Sequence, residues 1–120
     1  AATAEVLRES RRFLSAAAQE AWHAVLLEET PDRIRLDRPR LASYHAAVSL
    51  EVLRHALVRL RGTTRDIRRS PLVDLDRCAR SNRGGRLALP HGLWAVMNRR
   101  EVVLSHPILD NRKETDTADR

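Results

Sequence analysis

A single cysteine, Cys78, is all the thiol chemistry this 120-residue sequence holds. That excludes an internal disulfide and fits a reducing compartment, the cytoplasm. Aromatic residues are scarce: Phe13, Trp22, Tyr44 and Trp94 are the only four, so a core must be built mostly from Leu, Val and Ala. The longest apolar run, Leu93 to Met97, falls far short of the roughly 20 residues a membrane-spanning helix needs. The sequence contains no Gly-rich loop followed by Lys, no Cys-x-x-Cys and no His-Glu-x-x-His. His45 and His55 stand ten residues apart, which on a helix leaves them about 80° from the line needed to share a metal. Asp74 and Asp76 look like paired carboxylates, but on a helix they diverge by about 200° and cannot grip one substrate. The isolated chain therefore reads as having no catalytic residues, no metal ligands and no cofactor site of its own.

Arginine is what the sequence has in quantity. Lys113 is the only lysine among 22 basic residues, which face 16 acidic ones for a net charge of +6. Residues 1–32 carry a net −3, residues 33–109 a net +10 and residues 110–120 a net −1. A basic middle between acidic ends points to a polyanionic partner, and the guanidinium fork matches phosphate geometry. A hydrophobic content of 42% is enough for the core of one domain, residues 1–109. Residues 110–120 read as a polar tail or linker. Glu5, Glu9, Glu20 and Glu28 argue against a transit peptide, which would be poor in acids. The chain opens Ala1-Ala2-Thr3 without a methionine and is expected to be a piece of something longer.

Periodicity predicts a first helix from about Ala4 to Glu28, with Leu7, Leu14, Ala18, Ala21 and Val25 in one stripe widened by Trp22, Phe13 and Ala17. Pro31 ends it. Arg33 to Asp37 alternates strictly and reads as a short strand with one buried face. Pro39 opens a helical turn around Leu41. Ser43 is placed to cap a second helix, Tyr44 to Arg61, whose stripe is Ala46, Leu50, Leu53, Leu57 and Leu60 and whose stop is Gly62. Ser70-Pro71 reads as a cap and first turn for a third helix to Arg80 that buries Leu72, Leu75 and Ala79. The runs Arg86–Leu89, Leu93–Met97 and Val102–Ser105 read as an antiparallel meander, with the Ile34 strand on one edge. The fold expected is α+β: a long helix, two shorter ones and a small, mostly antiparallel sheet of three or four strands.

The candidate binding residues are Arg54, Arg61, Arg80, Arg83, Arg86, Arg99 and Arg100. Arg54 and Arg61 share one flank of the second helix's stripe. Arg80, Arg83 and Arg86 surround the Gly84-Gly85 joint, where glycine permits positive φ as the chain reverses. Arg99 and Arg100 sit in the last turn of the meander. Trp94 has a ring on which a base could stack, but a lone Trp in an apolar strand reads as core.

The order of these segments carries a resemblance. The strand RIRLD, the run EVLRHALVRLRG and the stretch RGGRLALPHGL…VVLS resemble the substrate-recognition domain of bacterial tRNA(Ile)-lysidine synthetases. That family shows a Leu-Arg-Arg-x-Leu-x-x-Leu helix ending in Gly. A short helix follows, and then a Gly-Arg-x-Leu-x-Leu-Pro-Gly-Gly-Leu hairpin. The match runs from about Ala4 to Ser105. Trp94 and Met97 stand where relatives often carry arginine, and His91 replaces a glycine. The resemblance implies a domain that binds and orients tRNA while a separate N-terminal ATP-pyrophosphatase domain, using ATP and Mg, joins lysine to the wobble cytidine. That domain's Ser-Gly-Gly-x-Asp-Ser signature is not in this sequence. Two alternatives remain open on the residues alone. One is a helix-turn-helix DNA-binding module built from the second and third helices. The other is a protein-interaction module, a dimer included, that uses the apolar face of the first helix.

Overall fold

The computed structural model describes residues 3–62 and 68–106. It opens with a long helix α1 (Thr3–Val25), strands β1 (Leu26–Glu29) and β2 (Arg33–Asp37), and a short helix α2 (Arg38–Ala42). Helices α3 (Ala46–Arg61) and α4 (Arg69–Arg80) follow, then β3 (Gly85–Ala88), a 3-10 turn at Pro90–Gly92, β4 (Trp94–Met97) and β5 (Glu101–Ser105). The polar tail expected from Asp110, and most of the connector after Gly62, lie outside the described residues. The fold is α+β, with one antiparallel sheet in the order β1-β2-β5-β4-β3.

The meander β3-β4-β5 forms as chain order implies, and β2 pairs with β5 through Ile34↔Leu104 and Leu36↔Val102. The sheet has five strands, not three or four. The first helix stops at Val25, and Leu26–Glu29 turns into a strand that pairs Leu26 with Leu36 and Glu28 with Arg35. Thr30 closes this hairpin, its N–H donating to the Arg33 carbonyl at 2.8 Å and its hydroxyl accepting from the Arg33 N–H at 3.1 Å. Over four residues a half-buried strand and the end of an amphipathic helix share a hydrophobic pattern, and the pairing with β2 decides between them.

Only the C-terminal part of α1 reaches the core. Ala21, Trp22 and Val25 are buried, whereas Leu7 and Phe13, expected in the stripe, are 59% and 75% exposed. The reason is length. With 23 residues against the 16 of its partner α3, α1 is about 35 Å long against about 24 Å, so its N-terminal turns run past the end of α3. On α3 the buried face is Ser49, Val52, Leu53, Ala56, Leu57 and Leu60, rotated from the stripe expected. Ala46 is exposed and Leu50 half-buried, because α3 has to face α1 on one side and α4 and the sheet on the other. Ser43 is not its cap: its hydroxyl donates to the Arg40 carbonyl at 2.6 Å, and His45 Nδ1 accepts from the Ala47 N–H at 3.0 Å instead. Gly62 stops the helix as expected, in the left-handed region at φ 82. Helix α4 begins at Arg69 with Arg68 as its N-cap and no side-chain cap bond, so Ser70 lies inside the helix.

Where α1 meets α3, the His55 ring stands edge-on to Trp22 at 4.6 Å between centroids, and Arg59 pairs with Glu29 beside them. Desolvation first, and the Arg59 charge second, hold the His55 imidazole below its ordinary pKa. The folded chain therefore takes up that proton less readily than the unfolded one. His55's contribution is intact above the ordinary value of 6.5 and falls as pH drops below it. Thermal unfolding should show a lower midpoint at about pH 5.5 than at about pH 7.5, and His55→Gln should flatten that difference. An equal drop in the variant would place the effect elsewhere.

Candidate nucleic-acid interface

Along β2, the residues Ile34 and Leu36 point to the core, and the next position of the same parity is Arg38, the first residue of α2. Its side chain follows the alternation inward and is 5% exposed. Among the described residues no carboxylate pairs with it. Its guanidinium donates to five carbonyl oxygens: Ala79 from Nε at 2.9 Å, Asn98 from Nη1 at 2.7 Å, and Cys78, Ser81 and Arg83 from Nη2 at 2.9, 2.7 and 2.7 Å. Three of these bonds fall at the C-terminal end of α4, where unpaired carbonyls and the negative end of the helix dipole favour a cation. The Arg38 N–H adds a bond to the Arg100 carbonyl at 2.8 Å. One buried arginine thus ties the loop after α4 to the turn between β4 and β5.

Both segments are shaped further by local bonds. Asn98 Oδ1 accepts from the N–H groups of Arg100 and Glu101 at 2.8 and 2.9 Å, which folds the turn back on itself. In the loop, Ser81 Oγ accepts from the Arg83 N–H at 3.3 Å. The two glycines differ in purpose. Gly85 has φ 143, while at Gly84 a Cβ would come within 3.0 Å of the Met97 carbonyl oxygen. Gly85 supplies the conformation and Gly84 supplies the space for β3 to meet β4. The result is a groove lined in part by Pro39, Ala42, Ser81, Asn82 and Arg99, with Arg83 and Arg100 on the two segments that Arg38 ties together.

The seven candidate arginines do not form one patch. Arg83, Arg99 and Arg100 come together, exposed, and among the described residues their side chains carry no ion pair. Arg80, at the same groove, is engaged by the fold. It donates to Asp76 Oδ2 at 2.9 Å, the Ala42 and Tyr44 carbonyls at 3.1 and 2.7 Å, and Ser49 Oγ at 2.9 Å. Four of its five N–H donors are thereby occupied, clamping α4 to the α2–α3 corner. Arg54 and Arg61 belong to the helical layer. Arg54 lines a hollow with Glu51 and Arg69, and Arg61 lines another with Arg68 and His91. Arg86 lies on the sheet, its guanidinium carbon 5.0 Å from the Trp94 ring centroid.

Arg38 is the groove-shaping residue that sequence reading passed over, although the parity of β2 carried the signal. Arg33 and Arg35, also basic, are neutralised on the outer sheet face. Arg35 bonds Glu101 at 2.9 and 2.6 Å and Glu28 at 3.2 Å. Those two carboxylates, Glu101 first, raise the Arg35 pKa above its ordinary value, and bonding from Arg35 holds Glu101 below its own. Asp74 and Asp76 do diverge: Asp76 is buried against Ser49 and Arg80, and Asp74 lies 3.6 Å from Arg77 on the surface. Among the described residues no three His, Cys, Asp or Glu side chains gather as a metal site, and no helix is long and apolar enough to cross a membrane. Compared with known proteins, the chain matches no family model and no curated sequence.

Proposed function

We propose that this chain is a tRNA-recognition domain of the tRNA(Ile)-lysidine synthetase kind, which holds and orients tRNA in the cytoplasm for an ATP-dependent pyrophosphatase domain that carries the chemistry. The observation that carries this reading is the Arg38 tie, which presents Arg83, Arg99 and Arg100 as unpaired, exposed forks on two braced segments. A braced backbone loses little freedom on binding, and guanidinium forks suit phosphate, which takes bidentate donors. The backbone of the hairpin supports the resemblance as well. His91, which stands where the family has the first of two glycines, is in the left-handed region at φ 64, and Gly92 follows at φ 79. A glycine motif at those two positions has a conformational reason.

The helix-turn-helix alternative fits less well. Seven residues separate Arg61 from Arg69, against the roughly 3–4 of that motif's turn. A protein-contact role has an observation of its own, the projecting end of α1 with Val6 and Phe13 54% and 75% exposed. A salt-insensitive dimer in sedimentation would speak for it.

Affinity for tRNA should be mainly electrostatic. With about four arginines on phosphates, log K should fall against log salt with a slope of roughly −3 to −4. In filter binding at several salt concentrations, Arg83→Ala and Arg100→Ala should each weaken binding and flatten the slope by about one unit. Arg8→Ala, on the acidic α1, is the control and should change little. Equal losses from Arg83→Ala and Arg8→Ala would overturn the assignment of binding to these two segments.

A further inference from the structure

Among the described residues the helices pack on one side of the sheet. In β2, β4 and β5 one set of alternate residues, such as Leu36, Ala95 and Leu104, is buried in the core, and the other set stays half-exposed apart from Ser105, which is buried. Trp94 belongs to the second set. The sequence pattern placed it in the core, but the register puts it opposite Ala88 on β3 and Ser105 on β5. Both neighbours are small, so the indole stands on the outer face with no bulky side chain opposite it in either flanking strand. Its one described ring contact is the Arg86 guanidinium, at 5.0 Å from the centroid.

Charge divides this face in two. Toward β1 the guanidinium groups of Arg33 and Arg35 are matched by Glu28 and Glu101. Toward β3, Arg86 is exposed and has no ion pair among the described residues. Gly85 pairs with Met97 at the end where Arg83, Arg99 and Arg100 gather, and Ala88 pairs with Trp94 three residues further along. Three strand residues span roughly 10 Å, a distance that a nucleic-acid strand whose phosphates sit on those arginines can cover.

We propose that the outer sheet face binds an unpaired nucleobase of the RNA on the Trp94 ring, covered by the Arg86 guanidinium. The inference rests on the RNA-binding reading above and adds a preference for single-stranded nucleotides at one place. Every base has a π-face to stack on indole, and a planar guanidinium can close over the far side of the base or stay over the ring. A base already paired and stacked inside a duplex cannot stack on a ring carried on the face of a sheet.

The test uses the fluorescence of the full chain, in which Trp22 is buried and Trp94 is not. A short single-stranded RNA should quench the emission of Trp94, and a duplex of the same length should not. Trp22→Phe leaves Trp94 as the only reporter and should keep the quenching. Trp94→Leu should weaken single-strand binding about tenfold with the salt slope unchanged, while Trp94→Phe, which keeps a ring, should stay within about threefold. If Trp94→Leu proves unfolded by circular dichroism, the parent's quenching and the Trp94→Phe affinity decide the matter. Salt-dependent binding with no quenching, or equal quenching by duplex, would overturn the stacking site and leave the electrostatic reading standing. Failure of tRNA and single strand alike to bind at low salt would overturn the RNA reading itself.

Discussion

Arg38→Met should cost about 3 kcal/mol or more of unfolding free energy, a large share of the roughly 5–15 kcal/mol available to a domain. The methionine fills much of the same space, so the loss is almost wholly polar. Five carbonyl oxygens lose a cationic donor together, three of them at the end of a helix. A hydrogen bond to a charged group contributes about 1.5–3 kcal/mol net, and bonds that share one donor group do not add in full. Arg38→Lys should recover less than half of the loss, because an ammonium has three donors and no planar fork. Urea titration of both variants checks this. A loss below about 1 kcal/mol in Arg38→Met would mean that water replaces the guanidinium at little cost. Arg38→Met should also weaken tRNA binding in the protein that still folds, since Arg38 braces both segments, the Arg83 carbonyl through its side chain and the Arg100 carbonyl through its N–H. The surface arginines should do the reverse, with affinity lost and stability kept.

Asp76→Ala should lower stability by about 2–3 kcal/mol, and Asp74→Asn by less than about 0.5 kcal/mol. The two carboxylates are neighbours in sequence and opposites in setting. Asp76, 7% exposed, accepts from Ser49 Oγ at 2.6 Å and from Arg80 Nε at 2.9 Å. Removing it takes the short bond from the Ser49 hydroxyl, which keeps only the Ala46 carbonyl at 3.2 Å as an acceptor, and takes half of a clamp. Asp74 meets Arg77 only at 3.6 Å on an open helix surface. The loss at Asp76 stays below that of a fully buried pair because the Arg80 side chain is 32% exposed and partly screened by solvent. Arg80→Ala should behave like Asp76→Ala in a denaturant titration and leave the salt slope of tRNA binding nearly unchanged. A flattened slope with stability intact would return Arg80 to the interface.

The class of fold was legible from the sequence because its signals are local. Alternation over Arg33–Asp37 and over the three later strands, the helical period of α3 and the left-handed stop at Gly62 each depend on residues within a few positions of one another. The surplus of arginine between residues 33 and 109, and the order of motifs that raised the tRNA reading, are likewise properties of the chain as written. What the local signals left open was settled by partners far away. Leu26–Glu29 became a strand because β2 offered an edge, and the buried face of α3 turned toward Val52 and Ala56 because two layers press on it. Trp94 went to the outer face because register, not hydrophobicity, chooses the side of a sheet. Among the arginines, composition cannot distinguish a fork that meets solvent from one that meets carbonyls. Arg38 and Arg80 are bonded inside, to groups that lie mostly 31 to 60 residues away along the chain. Arg83, Arg99 and Arg100 are left outside together because the backbone carbonyls beside them are held by Arg38. Distances across the fold, set by packing, decide which charges are structural and which remain for a partner.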